Sequence, residues 1–134
     1  MNDEVRQTLI QRALAIRQWA YAPYSHYHVG SALLATSGKI YDGVNVENAA
    51  YGSSICSERT ALVKAISEGE RGFEAIAVVT DNGGSPCGSC RQMLAEFGLD
   101  LVVILLNKDG NVVGETTLRE LLPDAFTPEA LLKE

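Results

Sequence analysis

The chain has 134 residues, 46% of them apolar and 21% charged, which suits one globular core and excludes a mainly disordered polymer. Eleven Lys and Arg against 17 Asp and Glu leave a net charge of -6, with no Lys/Arg-rich run to neutralise a track of phosphates, so polymeric nucleic acid is not an expected partner. The longest apolar run, Leu101 to Leu106, is far below the ~18 to 20 residues that span a bilayer, so no membrane segment is expected.

The opening MNDEVRQTLIQRAL is charged and amphipathic and lacks the apolar stretch of a signal peptide, which makes the cytoplasm the expected location. From Asp3 to Ala20, Val5, Leu9, Ala13, Ile16 and Ala20 recur at helical spacing, with Trp19 widening the buried stripe, and Pro23 ends the helix. His28–Ala35 and Lys39–Val46 are β-prone around the Ser37-Gly38 turn and predict a hairpin, with His26 and His28 as ordinary polar residues on one strand face. A polar loop, Asn48 to Ser54, leads to a helix beginning near Cys56 and closed by Gly69.

Phe73 to Thr80 reads as a strand buried on both faces. The breaker-rich DNGGSP follows, then a short helix carrying Cys90, Met93, Leu94 and Phe97, closed by Gly98. Leu101–Asn107 and Asn111–Thr117 flank a Lys108-Asp109-Gly110 turn, Thr117 with Glu120 forms a capping box, and Thr127-Pro128-Glu129 starts a last helical turn. The order predicts one α/β domain over residues 1–134, a central mixed sheet of five strands covered by helices on both faces.

Chemistry concentrates in the three cysteines, an odd set that a reducing cytosol would not use as a disulfide framework. Cys87-Gly88-Ser89-Cys90 lies between a strand and a helix, and Cys56-Ser57-Glu58 starts another helix, so the thiolates gain from two helix dipoles. Three sulfurs around zinc leave the fourth tetrahedral position for water, the ligand count of a catalytic site. Glu58 is near enough to move a proton there, and Arg59 offers a hydrogen bond to sulfur. On spacing alone, a structural zinc or a redox disulfide remains an alternative for C-x-x-C.

C-x-E followed by P-C-x-x-C matches the signature of zinc-dependent deaminases. Nearly the whole chain resembles the small tetrameric cytidine deaminases, through YAPYSHYHVGSALL, GVNVENAAYG, CSERTA, SPCGSCRQ and ELLPDAF. That resemblance implies an α/β/α sandwich with one zinc per chain on Cys56, Cys87 and Cys90, and Glu58 as proton shuttle. It implies hydrolytic deamination of cytidine and 2'-deoxycytidine in pyrimidine salvage, with Asn45 and Glu47 on the ribose hydroxyls. Tyr27 stands where the family commonly has Phe against the pyrimidine, and Ser57 where it usually has Ala, its backbone N–H meeting the base. Tyr51 and Phe126 match residues that complete a neighbour's pocket in a homotetramer. A blasticidin-type or modified-cytidine deaminase is the rival on the same zinc core. A non-catalytic zinc or redox module is the rival outside it.

Overall fold

Residues 1–132 are described by a computed structural model, and the last two residues of the expected 1–134 domain lie outside them. Helix α1 spans Asp3–Ile16, and the Asn2 side chain caps it by accepting from Val5 N at 2.8 Å. The hairpin is β1 (Gly30–Ala35) and β2 (Ile40–Val44). Then come α2 (Ser57–Ser67), β3 (Phe73–Val79), α3 (Gly88–Ala95), β4 (Val102–Leu106) and β5 (Val112–Thr117). Two short helices follow, α4 (Leu118–Leu121) and α5 (Pro128–Leu132). Thr117 caps α4 by accepting from Glu120 N, the local bond that the capping box anticipates.

The sheet is five-stranded in the order β2-β1-β3-β4-β5, parallel only between β3 and β4. Alternation along each strand sorts its side chains between two apolar layers. Ala32, Leu34, Ala75, Ala77, Val79, Ile104 and Leu106 pack with Leu9, Ile10 and Ala13 of α1. On the opposite face Leu33, Ile76, Val78 and Val103 pack with Ala61, Leu62 and Ala65 of α2, Leu94 of α3 and Leu118 of α4. The result is the expected α/β/α sandwich with a mixed sheet. Gly43 of β2 lets α2 approach closely, because a Cβ there would stand 2.6 Å from Ala61 N.

Two expectations fail for local reasons. The first helix tightens to a 3-10 turn over Arg17–Trp19, which moves Trp19 off the α1 stripe and leaves it 69% exposed rather than in the core. Arg17 is drawn aside there, donating Nε to His28 O at 2.8 Å and pairing with Asp81. The strand also begins only at Gly30, so His26 and His28 share no strand face. His26 has φ 58° and its N–H donates to Ala22 O, because Glu47 gathers Tyr24 and Ser25 into a turn upstream.

Candidate active site

β1 runs antiparallel to both β2 and β3, with Gly30 opposite Val44 and Val79, so the start of β1 and the ends of β2 and β3 share one edge of the sandwich. The N-termini of α2 and α3 open at that same edge. Cys56 is the N-cap of α2, Cys87 is the N-cap of α3, and Cys90 lies in the first turn of α3. All three thiols are free, and their sulfurs lie within 4.8 Å of one another. Cys56 Sγ stands 3.7 Å from Cys87 Sγ, which is 3.3 Å from Cys90 Sγ.

Tetrahedral zinc with Zn–S of ~2.3 Å separates sulfurs by about 3.8 Å, so the cluster already has nearly the spacing the metal needs. A disulfide requires a bond of about 2.05 Å, far shorter than either separation. The Cys56 thiol is drawn down to about 5, first by hydrogen bonding with Cys90, with burial opposing and Arg59 and Cys87 adding to the effect. Cys90 is pushed up, first by its bond to Cys56 and then by burial. The three sulfurs thus share their protons unequally, and one thiolate forms readily beside Arg59, whose Nη2 lies 3.7 Å from Cys56 Sγ. Arg59 Nε is buried and finds no hydrogen-bond partner among the described residues.

Glu58, one residue into α2, is 4% exposed. Burial pushes its carboxyl pKa up, opposed by the hydroxyl of Ser57, which donates to Oε1 at 2.7 Å. A buried carboxyl whose proton-bound form is favoured by burial, beside a thiol cluster, is a candidate proton carrier. Glu58 and the Cys56 and Cys87 ligand candidates line one cavity of about 450 Å³. Cys90 lies fully buried beside it.

Tyr27, Asn45, Glu47, Tyr51, Ser57 and Arg59 line the same cavity. Tyr27 donates its hydroxyl to Asn82 Oδ1 at 2.8 Å. Asn45 accepts from Val29 N at 3.0 Å and donates to Tyr27 O at 2.8 Å, so it already staples one wall and keeps a single amide N–H for a ligand. Glu47 Oε1 accepts from Tyr24 N and Ser25 N, and Oε2 accepts from the Ser25 hydroxyl. The Ser25 hydroxyl holds its carboxyl below the usual range, against an opposing push from burial. Tyr51 is 75% exposed at the mouth, edge-on to Tyr24 with ring centroids 5.9 Å apart. Phe126 does not line this cavity and is 59% exposed.

Two contributors carried no sequence signal strong enough to name them. Arg91 donates to Pro86 O, Leu121 O and Ser85 Oγ at 2.8, 2.7 and 2.8 Å, tying the loop before Cys87 to α4. Thr80 is buried and accepts at Oγ1 from Gly83 N and Gly84 N, which folds the glycine loop against the cavity. Arg91 directly follows Cys90 and Thr80 precedes Asp-Asn-Gly-Gly, but only the fold reveals their partners.

A family profile described as the cytidine and deoxycytidylate deaminase zinc-binding region matches residues 3–106, a span containing all three thiols and Glu58. The cytidine deaminase of Sporosarcina psychrophila is 50% identical over 128 residues, covering 93% of both chains. That of Halalkalibacterium halodurans is 51% identical over 127 residues, covering 92% of this chain and 96% of its own. Among solved structures, the cytidine deaminase of Burkholderia pseudomallei superposes with a TM-score of 0.84 at 48% identity, covering 94% of this chain and 100% of that one. With its thiol cluster, its buried carboxyl and these relatives, the chain belongs to the zinc-binding cytidine and deoxycytidylate deaminase family.

Proposed function

We propose that this chain converts cytidine and 2'-deoxycytidine to uridine and 2'-deoxyuridine by hydrolysis, acting in the cytoplasm in pyrimidine salvage. The observation that carries the reading is the convergence of Cys56, Cys87 and Cys90 beside a cavity that also holds buried Glu58. Zinc held by those three sulfurs supplies Lewis acidity, which makes water nucleophilic near neutral pH. Glu58 accepts the proton that water gives up and delivers it to N3 of the pyrimidine while water oxygen adds at C4. Glu58, left as carboxylate, then takes the proton of the new C4 hydroxyl and passes it to the 4-amino group, so the C4 carbonyl forms as the C4–N bond breaks and ammonia leaves. Arg59 screens the thiolate charge that would otherwise blunt the metal.

Asn45 and Glu47 are assigned to the ribose hydroxyls, Glu47 accepting from them and Asn45 using its remaining N–H. Tyr27 walls the pyrimidine, and Ser57 offers its backbone N–H to the base from the first turn of α2. One sheet runs through the described residues, which supports a single domain over 1–134. Tyr21, Tyr24, Val46, Tyr51 and Phe126 are exposed, an apolar surface that supports a homotetramer in which Tyr51 and Phe126 complete a neighbour's site. Among the described residues no helix is long and apolar enough to cross a membrane.

The direct test is loss of the cytidine ultraviolet band on adding purified protein, with metal analysis in parallel. Turnover with about one zinc per chain supports the reading. Stoichiometric zinc without turnover of either nucleoside would overturn the substrate assignment, and a reducible disulfide in place of zinc would overturn the mechanism.

A further inference from the structure

Two hydroxyls are buried between β1 and α2 where the surrounding layer is apolar. Ser31 stands on the same face of β1 as Leu33, Ser57 opens α2, and both are 0% exposed. Ser31 Oγ lies 2.5 Å from Ser57 Oγ, and Ser57 Oγ lies 2.7 Å from Glu58 Oε1. A hydroxyl has one proton to donate. When Ser57 gives its proton to Glu58 Oε1, its oxygen must accept from Ser31, so the chain runs Ser31 to Ser57 to Glu58. Burying such a pair costs free energy unless every member is satisfied, and the carboxylate is the acceptor that terminates the chain.

We propose that Ser31 and Ser57 form a hydroxyl relay that fixes the Glu58 carboxyl group, both acting as positioning residues for the deamination assigned above, on which this inference rests. With Oε1 engaged from behind, the mobile proton of Glu58 resides on Oε2. That single oxygen then serves N3 and the departing amino group, while both serines keep their own protons throughout. Ser31 does not line the cavity and acts only through Ser57.

The test uses four zinc-loaded proteins: wild type, Ser31→Ala, Ser57→Ala and the double variant. Cytidine kinetics, zinc content and urea unfolding are measured on each. Ser57→Ala is expected to lower kcat about 10-fold and Ser31→Ala about 3-fold, with KM within about twofold of wild type and zinc retained. In the Ser57→Ala background, Ser31→Ala should change kcat no further, because the link it acts through is gone. Urea unfolding should show the same coupling without activity. Ser57→Ala orphans the buried Ser31 hydroxyl and has the lowest midpoint, and adding Ser31→Ala raises that midpoint. Unchanged kcat in both single variants, a rise confined to KM, or equal kcat losses from Ser31→Ala with and without Ser57 would each overturn the relay. A wild-type protein inert toward cytidine would instead defeat the functional reading, while the unfolding cycle would still decide whether the hydroxyls are coupled.

Discussion

Helix α2 ends in a glutamate environment on each side, and the two are opposites. At its N-terminus Glu58 is buried beside the thiols with one hydroxyl donor, and burial pushes its pKa up. Just past its C-terminus Glu70 Oε2 accepts from Ser37 at 2.7 Å and from the Tyr41 hydroxyl at 2.8 Å, and these bonds hold its pKa down. One residue type is thus a buried carboxyl with a raised pKa, the proposed proton carrier, at one end and a hydrogen-bonded anion at the β1–β2 turn at the other. Desolvation against the number of donors decides which, and the position along α2 decides both.

The sharpest way to break this contrast is Glu58→Gln, which keeps the shape and removes the titrating proton. Turnover is expected to fall at least ~10²–10⁴-fold with zinc retained, measured by single-turnover kinetics and metal analysis. Glu70→Gln should leave turnover near wild type, and a comparable loss there would erase the distinction. Chelation probes the N-terminal side of the helix from another direction. Thiol titration should rise from near zero to about three per chain when a strong chelator removes zinc, and reductant should add nothing further.

Arg91→Ala gives a smaller effect. Its three bonds tie the Cys87 loop to α4, so the variant should unfold with about 1–3 kcal/mol less stability and lose zinc faster to a competing chelator. Unchanged zinc retention would mean that the Cys87 loop holds its place without Arg91.

The smallest effects lie in the pH dependence of the Glu70 clamp. The depressed Glu70 pKa means that its contribution is fully present above the ordinary value of 4.5 and is lost as pH falls through the lower folded value. Glu70→Gln should therefore flatten the loss of stability on acidification below that point. Tyr41 has the reverse sign, because its bond to Glu70 raises it from 10.0 to about 12. Its contribution is full below 10.0 and disappears as pH rises through about 12. Tyr41 should give a late phenolate absorbance step, and Tyr41→Phe should remove that step.

Most elements were legible because they rest on local periodicity. The apolar spacing of α1, the buried run of β4, the capping box at α4 and Gly69 and Gly98, both at positive φ, depend on neighbours a few residues away. Trp19 and His26 were misread because distant partners govern them. Arg17 reaching His28 and Asp81 accompanies the change of helix pitch, and Glu47 folds the segment before β1. Arg91 and Thr80 stayed hidden for the same reason, since most of their partners are backbone groups that no residue type announces.

By itself the sequence determined the alternation of strands and helices, the set of three thiols and the glutamate that travels with Cys56, since these follow from residue type and short spacing. Tertiary structure alone decided that Cys56 meets Cys87 and Cys90, because the antiparallel β1 and the parallel β3–β4 pair bring two helix N-termini to one edge. It also decided that Ser31 meets Ser57 across 26 residues, which depends on the register of a strand against a helix and on the close approach at Gly43. Local spacing sets which face a side chain occupies, and only packing between layers sets what that face touches.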